Sequence, residues 1–340
     1  MEPHSDTAVL DDTDRGPAVK SDRRCLVVTS GRADASPLKG VIEELEKLCP
    51  VVVRISAEEQ SQMYNSVWNY LCEDDTDIMV LLGDRTETLI AAAAAAHFRI
   101  PIAHIHGGES TYGAMDDSMR HAISKLSHLH FVANMPFHDV LLQMGERNIW
   151  VTGAPGIDNL VPYMEMERKP EKYFVCTYHP ETLGDDSQLI NLIDALREHR
   201  DHAVFWTGVN TDPGSQVVHD TIMAGDVGII VDWTLDEYLT HCRYAAAVIG
   251  NSSSGIIEAP YLEVPTVNIG QRQEGRPMGR SIYQPRGIKG IHETICEALL
   301  HDTAGYRYDR LYGEPGASKK IAGIIANQDL TDILRKPWPI

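Results

Sequence analysis

From CLVVTS, ending at Ser30, to VPTVNIG, ending at Gly270, short unbroken apolar runs alternate with longer amphipathic stretches. The runs do not alternate polar with apolar, so both faces of each strand must be buried. A strand buried on both faces belongs in a parallel sheet covered by helices, and each run here is followed by a helical pattern. CLVVTS precedes a helix near 37–48, VVVRIS one near 58–73, and DIMVLLGD the stretch RTETLIAAAAAAHF. IPIAHIHGG, a helix through DDSMRHAISKL, HLHFVA, a helix to Met144 and NIWVTG complete a first set.

The stretch VPYMEMERKPEK (161–172) is charged, contains two prolines and has no strong period. The alternation restarts with KYFVCTYH, AVFWTG, VGIIVD, AAAVIGN and VPTVNIG. An α/β chain of two Rossmann-like domains in series is predicted, over 23–162 and 173–325, joined by a linker at 163–172. At 340 residues, two separate cores are affordable in length. Residues 326–340 follow the second domain. Residues 1–22, with six acids against two bases, are read as a disordered acidic tail.

Charge and composition exclude several classes. A net charge of −19 argues against a nucleic-acid partner. No apolar run reaches the roughly 20 residues of a membrane span, and the first residues lack the pattern of a signal peptide, so a cytoplasmic protein is expected. Six cysteines are scattered without a CxxC pair or metal-ligand spacing, and read as reduced thiols.

Open parallel sheets bind ligands outside the carboxyl ends of their strands. Those ends are polar here: SGRADAS, GDRTE and HIHGGES in the first domain, TYHPET, TGVNTDPG, GNSSSG and NIGQRQEGR in the second. No GxGxxG follows the first strand and no GxxxxGK[ST] occurs, which argues against a nicotinamide dinucleotide and a P-loop nucleotidase. GNSSSGIIEAP is the best phosphate cradle, with Ser252 and Ser253 adding hydroxyls at a helix start and Glu258 placed to accept from a ribose hydroxyl. The competing reading is a plain helix cap.

HIHGGESTYGAMDDSMRHAISK (104–125) concentrates titratable groups. His104 and His106 alternate at a strand end; hydrogen-bonded histidines are favoured over a metal pair because no further ligands are evident. Gly107 and Gly108 permit a sharp turn, and Glu109 follows. Asp116 and Arg120 share a helix face and can pair, with Asp117 and His121 on the adjacent stripe. A solvated helix start would explain these acids, but Asp84 and Glu109 lie on the same strand-end edge. Converging carboxylates raise one another's pKa and need a use.

Together, GDRTETLIAAAAAA, IPIAHIHGGE, DDSMRHAISKLSHLHF, TGAPGIDNL, YHPET and GNSSSGIIEAP resemble the hydrolysing UDP-N-acetylglucosamine 2-epimerase family, in order, from about Arg24 to Ile282. The resemblance implies a GT-B-like architecture with an interdomain active-site cleft, and a last helix, LTDILRKPW here, crossing back to the first domain. It implies anti elimination of UDP to a 2-acetamidoglycal, then hydration to N-acetylmannosamine, opening sialic or nonulosonic acid biosynthesis. Asp84, Glu109 and Asp116 match the family's catalytic acids. Arg120 would orient Asp116 or bind the departing phosphate, and His179 would neutralise the diphosphate. Arg32, Asp34, Ser36 and Arg85 match substrate contacts; Ser252 and Ser253 match phosphate contacts, and Glu258 the ribose contact.

The same resemblance implies no cofactor or metal, no nucleic-acid or membrane partner, and a homodimer or homotetramer. Asp117 stands where relatives often carry Glu, and GNSSSG has a third serine. UDP- or GDP-linked 2,4-diacetamido-2,4,6-trideoxyglucose is the alternative substrate. A GT-B glycosyltransferase, a non-catalytic nucleotide-sugar sensor and a metallohydrolase on His104 and His106 are the rivals of other classes. The carboxylate cluster weighs against the first two.

Overall fold

The computed structural model describes residues 21–29, 32–55, 60–184, 186–210, 212–285, 290–300 and 309–336. The expected acidic tail lies outside the described residues except for Ser21 and Asp22. Two compact units are present: Met1–Gly108, Met119–Pro155 and Gly316–Ile340 form one, and Glu109–Ser118 with Gly156–Pro315 form the other.

In the first unit, β1 (Cys25–Thr29), β2 (Val51–Ile55), β3 (Ile78–Leu82), β4 (Ile102–Ile105), β5 (Leu129–Val132) and β6 (Ile149–Val151) form one parallel sheet. Its order is β2-β1-β3-β4-β5-β6. Cys25 and Val27 enter one core with Val80, Ala103 and Phe131. Leu26 and Val28 enter another with Met79, Leu81 and Ile102. That division by alternate residues is why the strands are apolar throughout. Helix α1 (Arg32–Glu46) lies on the first face, and α2 (Gln60–Glu73) and α3 (Thr86–His97) on the second. In α3, Ala91, Ala92, Ala94 and Ala95 are buried, and their small side chains allow a close approach to the sheet. Helices α4 (Asp116–Leu126) and α5 (Met135–Gln143) connect the remaining strands.

Three local expectations are corrected. Helix α1 starts at Arg32, earlier than expected, and runs through Pro37, whose missing N–H leaves one helical hydrogen bond unmade. The expected linker begins within the single helical turn α6 (Val161–Met164), and Tyr163 donates to Asp236 at 2.8 Å. The last helix among the described residues is α12 (Ala317–Asn327), whereas 331–334 are turns and 337–340, with the end of the expected helix, lie outside the described residues. It starts after Gly316 at φ +110°, and Ile321 and Ile325 pack with Leu38 and Val41 of α1. Arg23 donates to the carbonyls of Ile325 and Gln328, which satisfies the end of α12.

The second unit holds a parallel sheet of order β12-β11-β10-β7-β8-β9. Its strands are β7 (Tyr173–Thr177), β8 (Ala203–Thr207), β9 (Ile229–Val231), β10 (Ala247–Gly250), β11 (Thr266–Asn268) and β12 (Ile282–Tyr283). Helices α7 (Ser187–Arg197), α8 (Ser215–Gly225) and α11 (Gly290–Leu299) cover one face through Leu192, Val218 and Ile295. Helices α9 (Leu235–Tyr244) and α10 (Ser254–Ile257) complete the unit. Buried Arg243 donates to the carbonyls of Met166 and Leu262, so the 163–172 stretch is tied to this unit.

In each sheet the strand order reverses once, between β1 and β3 and between β7 and β10. Crevices at such reversals, at the carboxyl ends, are where these sheets bind ligands. Among the described residues no helix is long and apolar enough to cross a membrane.

Candidate functional site

At the second unit's reversal, β7 ends in Thr177-Tyr178-His179 and β10 in Gly250-Asn251. The Asn251 side chain clamps the two ends: Oδ1 accepts from His179 N and Nδ2 donates to His179 O, both at 2.7 Å. Gly250 has φ +138°, and a Cβ there would lie 1.8 Å from Thr177 O. Only glycine allows the strands to meet so closely. His179 Nδ1 accepts from Asn210 N at 3.3 Å, so the proton of a neutral ring sits on Nε2. Ser252 and Ser253 follow, half-buried.

The helix expected after GNSSSG is one turn, α10, followed by further turns. Glu258 caps that turn. Its Oε2 accepts from Ser254 Oγ at 2.5 Å, and Ser254 meets the Tyr238 hydroxyl at 2.7 Å. The third serine thus anchors Glu258.

Glu109–Ser118 groups with this unit because its backbone is bonded to the strand-end loops. Tyr112 N donates to Glu274 O at 3.0 Å and Met115 N to Thr182 Oγ1 at 2.8 Å. Asp117 accepts from Thr111 N at 2.7 Å and closes the loop. Glu109 is fully buried, and its Oε2 accepts from Arg276 Nε at 2.9 Å and Nη2 at 2.6 Å. Arg276 Nη1 donates to Gln273 Oε1, and Gln273 Nε2 to Asn251 O at 2.8 Å. One hydrogen-bonded line therefore runs from the Glu109 carboxylate to the His179 turn. Arg272 lies 3.7 Å from Asp116 and 3.4 Å from Asp212. Glu181 accepts from Gln271 N at 2.9 Å and holds the loop that carries both arginines.

At the first unit's reversal, Asp84 follows β3 and pairs with the buried guanidinium of Arg120. Arg120 meets Asp84, and Asp116 meets Arg272. Arg85 reaches Glu87 on its own turn at 3.4 Å. Ser36 is half-buried on α1; Arg32 and Asp34 share that helix, with their side chains outside the described residues.

His104 uses both ring nitrogens. Nε2 donates to Gly83 O at 2.8 Å, so Nδ1 accepts from Ser124 Oγ at 3.1 Å. Burial pushes this imidazole down to about 3. A ring neutral and bonded at both nitrogens leaves none for a metal, and the metal pair of His104 with His106 is discarded. His106 takes φ +66°, and Gly108, at φ +75°, would put a Cβ 2.3 Å from Phe137 O. The turn that releases Glu109 therefore needs glycine.

Arg272, Gln273, Arg276, Asn210 and Asp212 were not singled out from sequence. Their signal was present in NIGQRQEGR and TGVNTDPG, strand-end loops with two arginines in an acidic chain.

Residues 54–326 match the family model described as UDP-N-acetylglucosamine 2-epimerase. The polysialic acid biosynthesis protein P7 of Escherichia coli is 34% identical over 64% of this chain and 61% of its own. This chain thus spans about three fifths of that relative's length. The UDP-N,N'-diacetylbacillosamine 2-epimerase (hydrolyzing) of Legionella pneumophila is 34% identical over 85% of this chain and 83% of its own. In fold, the chain is similar to the UDP-GlcNAc 2-epimerase of Methanocaldococcus jannaschii solved with UDP-GlcNAc and UDP. The TM-score is 0.76 at 16% identity, over 89% of this chain and 99% of the other.

Proposed function

The chain belongs to the UDP-N-acetylglucosamine 2-epimerase family, and on that premise we propose that it is a hydrolysing 2-epimerase of a UDP-linked 2-acetamido sugar. UDP-N-acetylglucosamine is placed first, with N-acetylmannosamine and UDP as products. The observation that supports this most is the buried Glu109 carboxylate, held by Arg276 in one hydrogen-bonded line with the Asn251–His179 turn. It joins a proton-transfer group to a turn suited to phosphates.

A carboxylate takes the proton from the carbon bearing the acetamido group. The electron pair forms the ring double bond as the sugar–phosphate bond breaks and UDP departs. Water then adds its oxygen to the anomeric carbon, while a proton arrives at the acetamido-bearing carbon on the opposite face. Glu109, Asp116 and Asp84 are the proposed proton-transfer groups. Ser252, Ser253 and the Nε2–H of His179 are proposed to hold the diphosphate, with Glu258 on the ribose.

A second reading, the same reaction on UDP-N,N'-diacetylbacillosamine, is favoured by the match to the Legionella protein over most of both chains. Both readings are tested by incubating the protein with each UDP-sugar in heavy water, without an acceptor. UDP release and deuterium at the acetamido-bearing carbon are expected. Product without deuterium there overturns the elimination, and release from neither sugar overturns the function.

A further inference from the structure

At the other end of β7 from His179, three potential metal ligands meet in the second unit. His199 follows α7; His292 and Cys296 lie four apart on α11, on one face. One donor atom from each lies within 4.8 Å of the other two. His292 Nε2 is 3.7 Å from Cys296 Sγ, and the rings of His199 and His292 are 4.8 Å apart. His199 is 7% exposed; its Nε2 and the Nδ1 of His292 are buried without a hydrogen-bond partner. Buried imidazole nitrogens normally find a partner, so two in one cluster ask for one. The rings of His199 and His202 both rest against Phe174, near the start of β7. This places the cluster at the amino-terminal edge of the sheet, away from the phosphate turn.

We propose that His199, His292 and Cys296 form a binding site for a zinc-class divalent transition metal, with a fourth position for water. Two imidazoles and a thiolate suit zinc in a tetrahedral arrangement. Bonds of about 2.0–2.3 Å set donor separations near 3.3–3.8 Å, so side-chain rotation must close the present spacing by about 1 Å. The metal takes the place of the thiol proton, which leaves to solvent. Bound, it ties the first turns of α11 to the segment joining α7 to β8. The site is independent of the epimerase reading.

The test is titration of tag-free, chelator-stripped full-length protein with Co²⁺ alone, followed by competition with Zn²⁺. One equivalent giving tetrahedral d–d bands and a thiolate-to-cobalt charge-transfer band, both displaced by Zn²⁺, is expected. Cys296→Ser should lose the charge-transfer band, and His292→Gln should weaken binding at least about tenfold. Zn²⁺ should raise the Tm of the wild type and not of Cys296→Ser. Absence of the charge-transfer band from the wild-type protein overturns the proposal. So does a band that survives in Cys296→Ser, since the metal then sits on another thiol.

Discussion

Arg276 grips Glu109 through two guanidinium nitrogens although 167 positions separate them. Both side chains are nearly inaccessible, at 9% and 1% exposure. Breaking one side of a buried pair strands the other charge, at about 3–5 kcal/mol. Arg276→Met should lower stability by that amount in urea unfolding. Adding Glu109→Gln should restore much of the stability and none of the turnover, because the cycle removes the stranded charge and not the need for the carboxylate.

Glu109→Gln, Asp116→Asn and Asp84→Asn, made singly, should each lower UDP release about 10²–10⁴-fold. UDP binding by calorimetry should persist in all three. Near wild-type turnover in every one would return these carboxylates to structural roles.

Ser252→Ala and Ser253→Ala should each weaken UDP binding by about 10- to 100-fold, the range for one hydrogen bond to a charged group. Calorimetry at fixed ionic strength reads this directly. Unchanged affinity in both would remove the NSSS turn from the phosphate site.

Gly250→Ala inserts a methyl group 1.8 Å from Thr177 O at a φ of +138°. The β7 and β10 ends must then separate, which breaks the Asn251 clamp. A loss of stability of about 1–3 kcal/mol is expected, together with weaker UDP binding. A variant with wild-type Tm and affinity would show that the clamp tolerates the change.

Burial lowers His104 to about 3 and His128 to about 4, against 6.5 for the free imidazole. Between those values the unfolded chain holds protons that the folded one refuses. The stability tied to these neutral rings is present above pH about 6.5 and falls with acid, by about 1.4 kcal/mol per pH unit for each group. Urea midpoints should decline from pH 6.5 toward pH 4, and His104→Asn should reduce the slope. An identical slope in the variant would place the acid sensitivity elsewhere.

The sequence by itself determined every strand but β12, the burial of the central strands on both faces and the polar carboxyl ends, because these follow from local periodicity; the outer strands β6 and β9 expose Val151 and Ile229. CLVVT is apolar at every position, which already requires two covered faces, and HIHGG and GNSSSG carry their turns in their own glycines. It also placed Asp84, Glu109, His179 and the serines at strand ends. Partners were decided by tertiary structure. Arg120 meets Asp84 because β3 ends beside the helix that carries the arginine. Asn251 clamps His179 because β10 lies beside β7, an order no local pattern encodes. Gln273 and Arg276 joined Glu109 only when the loop after β11 folded over 109–118, and His199 met His292 and Cys296 only through packing of α7 with α11. Periodicity is a property of neighbours along the chain. An ion pair or a ligand cluster depends on which segments the sheet order sets side by side.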